Sequence, residues 1–238
     1  MVTVIPTLEL DQTIWRYMPL EQLLAILGMS TLHFQPLSKM RDLSEGYLPA
    51  EAREATKQQL PLYIPDECRD TVVKMCMEQT RRGACVSCWH MNSDESAAMW
   101  SLYAPTKGIA IRSTLQRLQS SFKDFPNDVM IAPVRYYAAA EARAYAHEAL
   151  CGNLFIKWKS YEHEHELRAL TFCTDGGQPF DTDSGIDGVD VPIEPSGLIE
   201  HLFVSPEAPN WIVSVVRETV KRYLFDFPID KSPLATLS

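Results

Sequence analysis

Apolar positions along the chain recur with two periods, and the period changes mark the elements. Leu20, Leu23, Leu24 and Leu27 repeat at helical spacing behind Pro19, which suits a first helical residue, and Gly28 closes that helix as its C-terminal cap. Leu32 and Phe34 then alternate with His33 and Gln35, as in a half-buried strand. Residues 49–59 and 67–82 are rich in Glu, Lys, Gln and Arg and read as two exposed helices, separated by a proline-rich break over 61–65. Residues 84–90 read as a strand that ends at Asn92-Ser93-Asp94, where Ser93 or Asp94 caps a helix over 95–103. A strand over 108–113, a helix over 115–122 and a strand over 129–137 follow, with Pro133 placing the last at an edge or a bulge. Residues 141–150 and 153–161 read as helical, 164–173 as a strand, and 174–188 as the loosest stretch. A strand over 198–204 precedes a closing amphipathic helix over 209–225, with Trp211, Val215, Val216, Val220 and Leu224 as its buried stripe.

The order has no regular β-α-β rhythm. It predicts an α+β fold: a mixed, mainly antiparallel sheet core with surrounding helices. No repeat, low-complexity tract or linker divides the chain. One domain over 1–238 is expected, with a helical insertion or cap over about 45–82.

Composition narrows the partners. The chain has 238 residues, 46% of them hydrophobic, enough for a sizeable core. A net charge of -9 disfavours extended nucleic acid, and Arg81-Arg82 is too short a basic run to reverse that. A nucleotide in a small pocket remains compatible. Residues 1–10 lack the basic and apolar regions of a signal peptide, and no stretch is apolar enough to span a membrane. Six cysteines (Cys68, Cys76, Cys85, Cys88, Cys151, Cys173) without a secretion signal read as reduced thiols in a cytoplasmic protein.

Three stretches could carry chemistry. Trp15-Arg16-Tyr17, just ahead of a helix, could present a guanidinium to a carboxylate or phosphate, or pack an arginine against surface rings. Ser87-Cys88-Trp89-His90 and Met99-Trp100-Ser101-Leu102-Tyr103 could form an aromatic wall for a flat ring, or fill a core. In residues 157–168 (KWKSYEHEHELR), a strand would put Glu162, Glu164, Glu166 and Arg168 on one face and His163, His165 and Leu167 on the other. Clustered carboxylates raise one another's pKa and can supply a general acid or base, unless the face is a solvated edge.

Other motifs break down. Cys85-x-x-Cys88 has no second cysteine pair. His163-x-His165 lacks a third ligand at a convincing spacing, and the calcium-loop pattern from Asp181 has Ile186 at its glycine position and Pro192 at the twelfth. No metal is expected. There is no P-loop, nucleophile elbow or dinucleotide-binding glycine motif.

Taken in order, "WRYM", "LHFQPLSKMRDLSEG", "SCWHMNSDESAAMWSLYAPTKGIAI" and "KWKSYEHEHELR" resemble the bacterial family called domain of unknown function 2971, over about Trp15 to Arg168. The usual Asn-Asp-Pro turn of that family is replaced by Arg41-Asp42-Leu43, and the Trp of its last strand by Tyr161. A looser resemblance in layout is to ADP-ribosyltransferases. It implies that Arg16 positions NAD, that Tyr103 or Ser101 lines the nicotinamide pocket, that Glu166 is catalytic and that Glu164 orients the acceptor; Tyr17, Ser87, Trp89, Trp100 and Arg168 complete the expected cofactor-binding residues. The acidic stretch 174–188 would meet that acceptor.

Three readings follow. The first is an enzyme that cleaves NAD or a related nucleotide and transfers ADP-ribose to an acceptor or to water. The second is a non-catalytic nucleotide- or protein-binding module, as in defence or toxin-like systems. The third is a hydrolase or nuclease with a divalent ion on Glu162, Glu164 and Glu166, near Asp42 or Glu45. The first requires Arg16, Tyr103 and Glu166 to converge on one cleft.

Overall fold

The computed structural model describes residues 1–4, 8–138, 152–175, 178–179 and 187–234. In chain order, β1 (Val2–Val4), β2 (Thr13–Met18), α1 (Leu20–Met29) and β3 (Thr31–Pro36) come first. Then follow α2 (Ala50–Gln59), α3 (Asp66–Gly83), β4 (Ala84–Met91), α4 (Ala97–Tyr103), β5 (Ile109–Thr114) and α5 (Leu115–Ser121). Next are β6 (Val129–Pro133), β7 (Arg135–Tyr137), β8 (Ile156–Trp158) and β9 (Glu166–Phe172), with a short hairpin of β10 (Thr174–Asp175) and β11 (Gln178–Pro179). The last elements are β12 (Val189–Pro192), α6 (Pro195–Leu198), β13 (His201–Val204), α7 (Asn210–Arg222) and β14 (Ile229–Lys231).

The fold is α+β, as the sequence predicts. Ten strands form one mixed sheet in the order β1-β6-β9-β4-β2-β5-β13-β14, with β3 joined to β4 and β12 to β3. Its pairs are antiparallel except β1 with β6 and β13 with β14. The main core lies against one face, where Leu167 and Ala169 of β9 meet Ile14 and Met18 of β2 and Leu23, Ile26 and Leu27 of α1.

The sheet forks at β4. On the edge away from β9, β4 pairs with β3 at Cys85 and Val86, and with β2 at His90 and Met91. Ser87, Cys88 and Trp89 fall between the two prongs. β2 leaves to pair along its whole length with β5, while α1 bridges from β2 to β3 over the gap.

Several local expectations change. Trp15-Arg16-Tyr17, read from the sequence only as lying ahead of a helix, is part of β2, a central strand. Pro19 is the extended residue before α1 rather than its first residue, and the helix ends at left-handed Ser30, whose N–H donates to the Ile26 carbonyl. Gly28 lies inside α1, where a Cβ would come within 3.1 Å of the Tyr223 hydroxyl. Ser96, rather than Ser93 or Asp94, caps α4 by accepting from the Met99 N–H. Residues 153–161 are not one helix: 3-10 turns at Gly152–Phe155 and Lys159–Glu164 flank β8. The buried stripe of α7 is Ile212, Val216 and Val220; Trp211, Val215 and Leu224 are exposed, with Lys107 over the Trp211 ring. Cys85 and Cys173 form a disulfide in the core, which corrects the reading of all six cysteines as thiols. The helix expected over 141–150, Cys151 and the loop aspartates Asp181 and Asp183 lie outside the described residues. No described helix is long and apolar enough to cross a membrane.

Candidate functional site

Strand alternation sends Arg16 toward α1, between the core residues Ile14 and Met18, and sends Trp15 and Tyr17 to the opposite face. Arg16 reaches into the fork. One of its terminal nitrogens donates to the Ser87 hydroxyl and, at 3.5 Å, to the Cys88 carbonyl, a group no strand partner covers. Its guanidinium carbon lies 5.8 Å from the Trp89 ring centre. No described carboxylate forms an ion pair with it. Burial therefore lowers its pKa, outweighing an opposing effect of the nearby Cys88.

A cavity of about 470 Å³ occupies the fork. Arg16, Gln22, Ile26 and His33 line it from the α1 side, and Tyr17, Cys88 and Tyr103 from the other. Tyr17, Met40, Cys88 and Tyr103 also border a second cavity of about 100 Å³, walled further by Trp15, Trp89, His90, Lys157, Glu164 and Glu166. The two spaces thus share a wall.

Behind the smaller cavity lies a buried charge network. Arg168, with no exposed side-chain surface, donates through Nε to Glu166 Oε1 at 2.7 Å and through a terminal nitrogen to Glu45 at 2.6 Å. Lys157 Nζ lies 3.0 Å from Glu45, 2.6 Å from Glu164 and 3.0 Å from Glu166. Tyr103 donates its hydroxyl to Glu164 Oε1 at 2.6 Å. Burial alone would raise the Glu166 carboxyl, but Arg168 and Lys157 outweigh it and hold the pKa at about 2. Burial likewise works against charge on Lys157 and Arg168, and the surrounding carboxylates raise both nonetheless. Tyr103 is raised, first by burial and then by its bond to Glu164. With all groups ionised, three carboxylates (Glu45, Glu164, Glu166) face two cations (Lys157, Arg168), leaving one negative charge in excess.

The expected site residues separate by place. Arg16, Tyr17 and Tyr103 line the larger cavity; Tyr17, Trp89, Tyr103, Glu164 and Glu166 line the smaller. Ser87 anchors Arg16. Trp100 stands edge-on behind Tyr17, its ring centre 5.1 Å away, and donates to Glu95. Ser101 is exposed and lines neither cavity, and Arg168 lies beneath Glu166 rather than in either wall. The single acidic strand face is corrected: Glu162 is exposed on the 3-10 turn, and Glu164 sits at that turn's end. The turn folds Glu164 back beside Glu166 across left-handed His165. No metal-binding cluster of His, Cys, Asp or Glu occurs among the described residues.

Lys157 was not singled out from the sequence. Its signal was a lysine inside the apolar run Leu154-Phe155-Ile156-Lys157-Trp158. In the sequence Glu45 is only one acid among several, and no local pattern ties it to Arg168, 123 positions away.

No protein-family model and no curated protein matches the chain, so the resemblance to the domain of unknown function 2971 family has no support from those comparisons. Among solved structures, the chain is similar to Thermus sp. 2.9 DarT in complex with NAD+, with 10% sequence identity and a TM-score of 0.42. The match covers 94% of this chain and 97% of that one. A likeness of that strength lends no support to a shared ligand or activity.

Proposed function

We propose that the chain binds NAD or a closely related nucleotide across the two cavities and cleaves the N-glycosidic bond of its charged ring. One observation carries this reading: Arg16, a cation with no ion pair among the described residues, borders one cavity, an excess negative charge borders the other, and the two share a wall. A ligand that suits both is anionic at one end and positive at the other. A dinucleotide with a diphosphate and a pyridinium has that form, and the summed volume lies within the range of cofactor pockets.

In this reading Arg16 binds the diphosphate, and Tyr17, Trp89 and Tyr103 hold the ring. When the bond breaks, its electron pair stays on the ring nitrogen, which leaves neutral. Positive charge passes to the ribose carbon until an acceptor nucleophile or water bonds there and loses its proton. A fixed carboxylate in a water-poor site stabilises that charge. Glu166 is clasped by Arg168, whereas Glu164 has only Lys157 and the Tyr103 hydroxyl. We therefore assign the main electrostatic role to Glu164 and the support of its position to Glu166.

The test is release of nicotinamide from NAD+ by the purified chain, beside Glu164→Gln. Release that falls ~100-fold or more in the variant, with NAD+ binding retained, supports the assignment. Binding of NAD+ without any release replaces it with the non-catalytic nucleotide-binding module. Failure to bind NAD+ overturns both.

A further inference from the structure

The smaller cavity has its hydrogen-bonding capacity arranged in one sense. Its side-chain donors are nearly all given to the protein. Tyr103 donates to Glu164, and Lys157 spends its three protons on Glu45, Glu164 and Glu166. Trp15 Nε1 donates to the Asn92 carbonyl and Trp89 Nε1 to the Ser87 hydroxyl. The Cys88 thiol is free, is kept protonated by burial and by the nearby Glu166 charge, and is a weak donor. Apart from that thiol, only the Tyr17 hydroxyl, which accepts from the Ser96 N–H, keeps a proton with no assigned acceptor.

Acceptors, in contrast, are left over. His90 is 4% exposed and lines the cavity. Its Nδ1 lies 2.6 Å from the Glu164 carbonyl oxygen, and a carbonyl can only accept, so the ring proton sits on Nδ1. Nε2 then carries a lone pair, and it is a buried side-chain atom with no hydrogen-bond partner. Burial lowers the His90 pKa, which keeps the ring neutral and that lone pair free. A buried acceptor without a partner costs stability, which a ligand donor would recover.

We propose that the smaller cavity selects a planar head group carrying an N–H donor, an amide or amino substituent on a ring, and that His90 Nε2 is the acceptor that reads it. This rests on the nucleotide-binding reading above and adds its selectivity: a ring with a carboxamide is taken in preference to one of the same shape without N–H. Glu164 and Glu166 add acceptor lone pairs on the same wall and favour a positively charged ring.

Calorimetry tests this with three probes: ADP-ribose, which lacks the ring; NAD+, which carries the carboxamide; and the 3-acetylpyridine analogue of NAD+, in which a methyl group replaces the amide nitrogen. The wild-type chain should bind NAD+ about tenfold or more tighter than the acetylpyridine analogue. His90→Asn, whose amide can still donate to the Glu164 carbonyl but lacks the Nε2 acceptor, should bring that ratio close to one while ADP-ribose affinity holds. Equal wild-type affinity for the two dinucleotides, with ADP-ribose bound, overturns this inference and leaves the nucleotide reading standing. So does a ratio that survives His90→Asn. Failure of ADP-ribose and NAD+ alike to bind overturns both. If His90→Asn does not fold, the wild-type ratio alone decides.

Discussion

The two arginine sites that flank β4 are opposites. In the network behind the smaller cavity, Arg168 is met by Glu166, Glu45 and the Leu154 carbonyl, so that its charge is balanced as it is buried. In the fork, Arg16 meets a hydroxyl, a carbonyl and a ring, and no described carboxylate pairs with its charge. The first arrangement pairs its charges within the core; the second leaves a desolvated cation without a described ion pair, which is what the proposed anion binding would use. Burial alone therefore does not mark a functional cation. What separates Arg16 from Arg168 is that no described carboxylate pairs with it.

Breaking the balanced site should have the largest effect. Arg168→Met leaves Glu166 and Glu45 in the core without their guanidinium, and should cost about 3–5 kcal/mol in urea unfolding, or abolish folding. Next comes acid. The Glu166 pKa falls from 4.5 to about 2 in the folded chain, so its contribution is complete above pH 4.5 and is lost as pH drops toward 2. Unfolding followed by tryptophan fluorescence should show stability declining through that window, and Glu166→Gln should flatten the decline. Arg16→Met should do least to the fold: a change of less than about 1 kcal/mol, since no ion pair is broken and a costly desolvation is relieved. It should nonetheless weaken ADP-ribose binding roughly tenfold or more by calorimetry. If Arg16→Met unfolds the chain while Arg168→Met does not, the two sites have been assigned the wrong way round.

How much of this could be read from the sequence follows from how local each signal was. The run of Glu164, Glu166 and Arg168 was visible as unusual chemistry, and Arg16 between two aromatics as a presented guanidinium. The fold class followed from the order of periodic segments. The strand containing Arg16 was missed because Thr13–Met18 has no clean polar alternation: both faces of a central strand are covered, so the period is hidden. The phase of α7 was misjudged because Val213, Val215 and Val216 put apolar groups on two faces, and only packing chooses between them. Glu45 reaches Arg168 and Lys157 from far away in the chain, whereas Lys157, nine positions from Glu166, meets it only because the chain folds back between β8 and β9. The acceptor bias of the smaller cavity depends on which nitrogen of His90 faces the Glu164 carbonyl, a matter of geometry alone.

The fork has a bearing on how such a site can change over generations. Its prongs are held from outside: β2 by six paired positions with β5, and β3 by four with β12. The aperture is thus written into main-chain ladders, which any non-proline residue can satisfy. Residues such as Gln22 and Ala25 line the gap from α1 and stand outside those ladders. A lineage built on this frame can retune what it accepts one side chain at a time, with the opening inherited intact.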